Sequence, residues 1–170
     1  MATTYEPIAT TTLGSAASSI TFSSIASSWT DLRLVLVVPA SPDTSGNINI
    51  NLNSDSGSNY SFTRIAGDGT SATSSAGTNQ VRFRPSDGFN WTGSSTAPVF
   101  IESNFFSYAG STNKTVLFAT SEDRNGAGST KRIVGLWRNT SAITTIAFTT
   151  DAGTNYPVGT TATLYGIKNA

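Results

Sequence analysis

Asn47 to Asn53 reads NININLN, a strict two-residue alternation of Asn with Ile or Leu. That period belongs to a β-strand with one buried face. Ile48, Ile50 and Leu52 are therefore expected to face a core, and the four Asn to face water or a neighbour. Upstream, Asp31 to Val38 reads DLRLVLVV, apolar almost throughout. This predicts a central strand covered on both faces. Pro39 and Pro42 end it, because neither donates to a ladder.

Outward from these two stretches the same pattern returns in short bursts between Gly, Ser, Asn, Asp and Pro clusters. Ser19 to Phe22, Tyr60 to Ile65, Gln80 to Arg84 (with Val81 and Phe83 inward), Val99 to Glu102 and Lys114 to Ala119 are expected strands. So are Lys131 to Trp137, Ile143 to Thr150 and Thr161 to Ile167. Between Tyr60–Ile65 and Gln80, the Gly67-Asp68-Gly69 turn leads into a Ser/Thr/Gly stretch to Asn79, which is too polar to pack and reads as a loop. No window carries a capped helical stripe. The expected fold is all-β, an antiparallel two-sheet sandwich of jelly-roll type with nine or ten strands. Residues 15–170 form one domain. Residues 1–14, with Pro7 and repeated Thr, are either an extended arm that adds a strand to a neighbour or the first strand of the same sheet.

Composition removes most chemistry. The 170 residues include 25 Ser, 27 Thr and 13 Asn but no His and no Cys. A Ser-His-Asp triad, a thiol nucleophile and an ordinary zinc site are thereby excluded. Ten basic residues balance ten acidic ones, so no clustered positive charge is available for nucleic acid. Aromatics at 10% with zero net charge favour a folded chain over a disordered one. No apolar run reaches the length of a membrane span, and the start of the chain lacks the pattern of a secretory signal. The expectation is a soluble protein made in a cytoplasm, with no membrane partner.

The remaining motifs are weak. Asn51 to Gly57 has the alternating acidic and amide groups of a calcium loop. Its Gly falls one place late, however, and Phe62 stands where the bidentate Glu belongs. A polar hairpin turn is the simpler reading, and Glu122 to Gly126 reads as a turn too. Ser111-Thr112-Asn113-Lys114 fits the S-x-x-K pattern of penicillin-recognising enzymes but leads into a strand rather than a helix. Gly126 to Lys131 lacks the spacing of a phosphate loop. Asp31, Asp43, Asp55, Asp68, Asp87 and Asp151 sit at expected turns or strand ends, where Asp is ordinary. The chain is therefore expected not to be an enzyme, and to use neither metal nor cofactor. Among the aromatics, Trp29 is expected to plug one end of the sandwich and Trp137 to anchor a core or an interface. Trp91 is placed in a loop, where it packs locally, meets a partner or stacks on a sugar.

Several strings resemble small structural proteins of tailed bacteriophages. They are Ser24 to Leu32 (of the type SSI-x-x-x-[WY]-T-D-L), Gly57 to Ser61 (GSNYS), Gly135 to Arg138 (GLWR) and Leu164 to Ile167 (LYGI). The resemblance spans nearly the whole chain and departs mainly at Ala40 to Asn47 and Ala72 to Ser95. It implies a virion structural protein, assembled in the host cytoplasm. A capsid decoration or cement protein that bridges shell subunits is the first expectation. A head-fibre or tail-fibre adhesin that binds a host surface glycan or protein is the alternative. The implied partners are the major capsid protein and further copies of the chain, as a homotrimer. Tyr5, Pro7, Ile8, Trp91 and Trp137 are the candidate contact residues.

Overall fold

The computed structural model describes residues 5–41, 46–83, 90–91, 97–123, 125–151 and 153–168. The arm residues Ala2 to Thr4, together with Pro42, Asp43, Arg84 and Asp87, lie outside them. The described residues contain no helix. Twelve strands form: β1 Tyr5–Thr12, β2 Ser19–Phe22, β3 Asp31–Val38, β4 Gly46–Leu52, β5 Tyr60–Gly67, β6 Ala72–Gln80, β7 Asn90–Trp91, β8 Val99–Phe105, β9 Lys114–Glu122, β10 Ser129–Trp137, β11 Ile146–Thr150 and β12 Thr161–Ile167.

The strands make one eight-stranded sheet, ordered β1-β12-β3-β8-β9-β10-β5-β6, and one four-stranded sheet, ordered β2-β11-β4-β7. Every pairing is antiparallel. The chain changes sheet at every step from β1 to β5, and again at β6–β7, β7–β8, β10–β11 and β11–β12. That is the wrap of a jelly roll. The hairpin β9–β10 is inserted between β8 and β5, while β12 and β1 extend the large sheet past β3.

One core fills the space between the sheets. β3 buries Leu32, Leu34, Leu36 and Val38 completely. β4 contributes Ile48, Ile50 and Leu52, and β11 contributes Ile146 and Phe148. The opposite face of β3 carries Arg33, Val35 and Val37 only half-buried. The strand is central in hydrogen bonding, but a single face is covered, which corrects the expectation from its continuous apolar run.

Three further expectations change. Ala72 to Gln80 is a strand rather than a loop: it pairs with β5 along its length and is mostly exposed. Of the expected strand Gln80 to Arg84, Gln80 ends β6 and Val81 to Phe83 form no strand. Phe83 alone exchanges hydrogen bonds with Ile50 and is buried, while Val81 is exposed. The count therefore rises above nine or ten, because nine of the expected segments form and β1, β6 and β7 join them. The Asn residues of β4 do not simply face water. Asn47 and Asn49 donate to the Asp151 carboxylate at 2.6 and 3.2 Å, and Asn49 is fully buried. Asn53 donates to the Ala142 carbonyl and accepts from the Thr144 and Thr145 amides.

The strings behind the bacteriophage resemblance carry packing. Gly135 lies under an aromatic cluster in which Phe83 meets Tyr60 edge-on at 4.9 Å and Phe118 at 5.2 Å. A Cβ at Gly135 would stand 2.5 Å from the Phe83 ring, closer than packed carbon atoms approach. Trp29 occupies the equivalent space over Gly166 and packs on the core at one end of the sandwich, as expected. Gly135→Ala should therefore destabilise the fold by about 1–3 kcal/mol through overpacking. Urea unfolding monitored by fluorescence measures this, and the midpoint should fall without a change in slope.

Candidate functional site

The charged and hydrogen-bonding side chains that looked chemically interesting in the sequence are used to hold loops together. Asn53 and Ser54 adopt left-handed backbone angles of 51° and 56°, and the Asp55 amide closes the turn on the Leu52 carbonyl. The turn is tight, but it joins β4 of one sheet to β5 of the other, so the expected hairpin does not form. It points the Asp55 carboxylate at three donors: Trp137 Nε1 at 2.7 Å, Asn59 Nδ2 at 2.9 Å and the Gly57 amide at 2.8 Å. Partial burial pushes the Asp55 pKa upward. The hydrogen bonds from Trp137, Asn59 and Gly57 outweigh burial, and the net shift is downward. Asp55 is a bracket for the Trp137 indole.

Lys114 is the other such group. It opens β9, is fully buried and donates from Nζ to the carbonyls of Gly110, Thr112 and Thr140. Burial lowers its pKa. Its three N–H donors are spent on carbonyls, which leaves none for Ser111. The Ser111-to-Lys114 spacing therefore builds a loop tie. At the β5–β6 turn, Asp68 accepts from the Thr70 and Ser71 amides at 2.9 and 2.7 Å and from both of their hydroxyls. These hydrogen bonds hold its carboxyl below the usual range. Asp123 accepts from the Gly126 amide, as a turn residue does. No group of three or more metal-ligating side chains forms among the described residues.

What remains is surface. Cross-strand register places Val35, Glu102, Ala119, Arg132, Ile65 and Ser74 in one row on the outer face of the large sheet. Phe100, Leu117 and Val134 stand in the adjoining rows. Phe100, Val134 and Ile65 are 38%, 45% and 62% exposed, so this face carries a band of apolar positions interrupted by Glu102 and Arg132. Arg33 and Glu102 form an ion pair on it at 2.9 Å. Beside the band, an open groove of about 650 Å³ runs along Ile65, Ala72, Ser74, Lys131 and Arg132.

The candidate contact residues separate into three places. Tyr5, Pro7 and Ile8 lie together on β1, and the register shifts between Pro7 and Ala9. The exposed Tyr5 ring stacks on Tyr165 at 4.7 Å. β1 is the first strand of the chain's own sheet, paired with β12. Trp137 is fully buried on β10, so of its two expected roles it takes the core one. Trp91 is in a two-residue strand, not a loop, with its backbone paired to Gly46. The outer-face band was missed in the sequence. Its only signal is the second set of apolar positions in β3, β8 and β10, which becomes a surface once one sheet is known to be wider than the other.

No family model, curated protein or solved structure matches the chain.

Two measurements check the loop ties. Asp55→Ala leaves Trp137 Nε1 buried without its acceptor and should cost about 2–3 kcal/mol in denaturant unfolding. The lowered Asp55 pKa gives stability that is present above the ordinary carboxylate value and lost as pH falls through the folded value. Alkaline pH acts through tyrosine. Burial raises Tyr60 to about 12, and raises Tyr108 and Tyr156 as well. Their stabilisation is complete below pH 10, the ordinary value, and is lost as pH climbs from 10 toward 12. Each fully buried tyrosine contributes a slope of up to about 1.4 kcal/mol per pH unit. Lys114 acts with the opposite sign, one group against three, so the net melting temperature should fall steeply above pH 10.

Proposed function

We propose that the chain is a structural component of a tailed bacteriophage particle, a capsid decoration protein that binds and bridges shell subunits. The reading begins from the resemblance of Ser24 to Leu32, Gly57 to Ser61, Gly135 to Arg138 and Leu164 to Ile167 to such proteins. The observation that carries it is the wide, partly apolar outer face of the eight-stranded sheet. It stands beside polar groups that are spent on internal ties, as Asp55 and Lys114 are. A protein of this kind acts through binding energy rather than chemistry. Anything that binds only the assembled shell stabilises that state by mass action.

The band of Val35, Phe100, Leu117, Val134 and Ile65 supplies the apolar centre of a shell contact, and the Ser and Thr of neighbouring positions supply its polar rim. Tyr5, Pro7 and Ile8 extend the contact at the β1 edge. A specific contact needs about 1,000 Å² of total buried surface, well within the span of eight strands. With one ion pair on this face among the described residues, binding should depend only weakly on salt.

The test is to purify particles that lack this protein and measure both their rupture temperature and their adsorption to host cells. Weaker particles with normal adsorption are expected. Particles of unchanged strength that no longer adsorb would overturn the decoration reading in favour of a fibre adhesin.

A further inference from the structure

The charges on the outer face of the large sheet do not balance. The rows that hold its apolar positions run across the strands from Thr161 to Ala72, from Thr163 to Ser74 and from Tyr165 to Ala76. Their charged residues are Arg33, Glu102 and Arg132. Glu102 is matched within the chain: Arg33 donates from Nη2 to Oε2 at 2.9 Å, and Asn104 donates from Nδ2 to Oε1 at 2.8 Å. Arg132 has no such match. It is exposed, its cross-strand neighbours are Ala119 and Ile65, and it makes no hydrogen bond or ion pair among the described residues. Arg132 and Ile65 also flank the open groove of about 650 Å³, which the small residues Gly67, Ala72 and Ala119 help to line. An incoming side chain therefore has room beside the guanidinium.

Water solvates Arg132 while the face is open. A partner that covers the face removes that water, and a guanidinium left beneath it without an acceptor opposes binding. We propose that Arg132 sets the specificity of the outer-face contact, and that the shell subunit docked there presents an Asp or Glu carboxylate, ringed by apolar side chains, that enters the groove and pairs with the guanidinium. The pairing is bidentate, as the planar fork of an arginine favours. This rests on the decoration reading and names the chemistry that its partner must show. Apolar contact is non-directional, so Val35, Phe100, Val134 and Ile65 supply affinity without fixing register, and the fork of donors fixes it. Charge complementarity selects this occupant over a second copy. Two outer faces laid together would set four guanidinium groups against two carboxylates, each carboxylate already bonded within its own chain.

The test uses purified particles that lack this protein, with the intact chain added back and its uptake measured by co-sedimentation over a range of concentrations. The unsubstituted chain should bind saturably. Arg132→Gln should bind about 30-fold more weakly or worse. Arg132→Lys keeps the charge but loses the fork, and should fall between the two. Lys168→Gln removes a positive charge beside Trp29, away from these rows, and should bind within about twofold of the unsubstituted chain. Both Arg132 variants should keep the melting temperature of the unsubstituted chain, since Arg132 has no internal partner to lose. Particles that take up no unsubstituted chain would overturn the decoration reading, and the proposal with it. Arg132→Gln bound as tightly as the unsubstituted chain would overturn the proposal alone. So would Lys168→Gln bound as weakly as Arg132→Gln, or an Arg132→Gln chain that melts markedly lower, which would place the guanidinium in an internal bond.

Discussion

An eight-stranded sheet packed against a four-stranded one can cover only one of its own faces, and that mismatch governs the rest of the molecule. The inner strands of the large sheet give every second residue to the shared core, which accounts for complete burial of Leu32, Leu34, Leu36, Val116, Phe118 and Ile133. The intervening residues have no sheet above them. Apolar side chains at those positions, such as Val35, Phe100, Val134 and Ile65, become surface through the width of the sheet rather than through local sequence. The edges follow from the same mismatch. β1 and β6 lie far apart across the large sheet, and each ends it among the described residues.

Low charge imposes the second condition. With 12% charged residues, the chain has few ions with which to solvate loops, and several of its polar side chains bond to the loops instead. Asn53 joins the β4–β5 turn to the segment before β11, Asp55 joins that turn to β10, and Lys114 gathers three carbonyls from two loops. Buried polar groups are costly unless satisfied, so each tie fixes a loop at one distance from the sandwich. The ends of the sandwich are thereby organised by residues that composition alone would assign to solvent.

The core was legible in the sequence because alternation is a local property. The bounds of β2, β3 and β12 coincide with the expected ones, and Ile48, Ile50 and Leu52 point inward as NININLN requires. β6 was not legible: ATSSAGTNQ has no apolar alternation, since an edge strand with both faces exposed takes its conformation from β5. The role of Trp137 was half legible, because its indole partner Asp55 lies 82 residues away. Of the candidate contact residues, Tyr5, Pro7 and Ile8 are together on one exposed strand. The outer-face band depends on which sheet is wider, a property of topology that no single segment carries.

In the proposed decoration role, the outer face would act in proportion to the number of copies that engage. The most direct test is therefore to count this chain against the major shell protein in purified particles, by quantitative mass spectrometry. A decoration protein repeats with the shell lattice, so hundreds of copies per particle are predicted. A few tens or fewer would place the chain on the tail or a fibre and contradict the account, and its absence from particles would remove the virion assignment altogether.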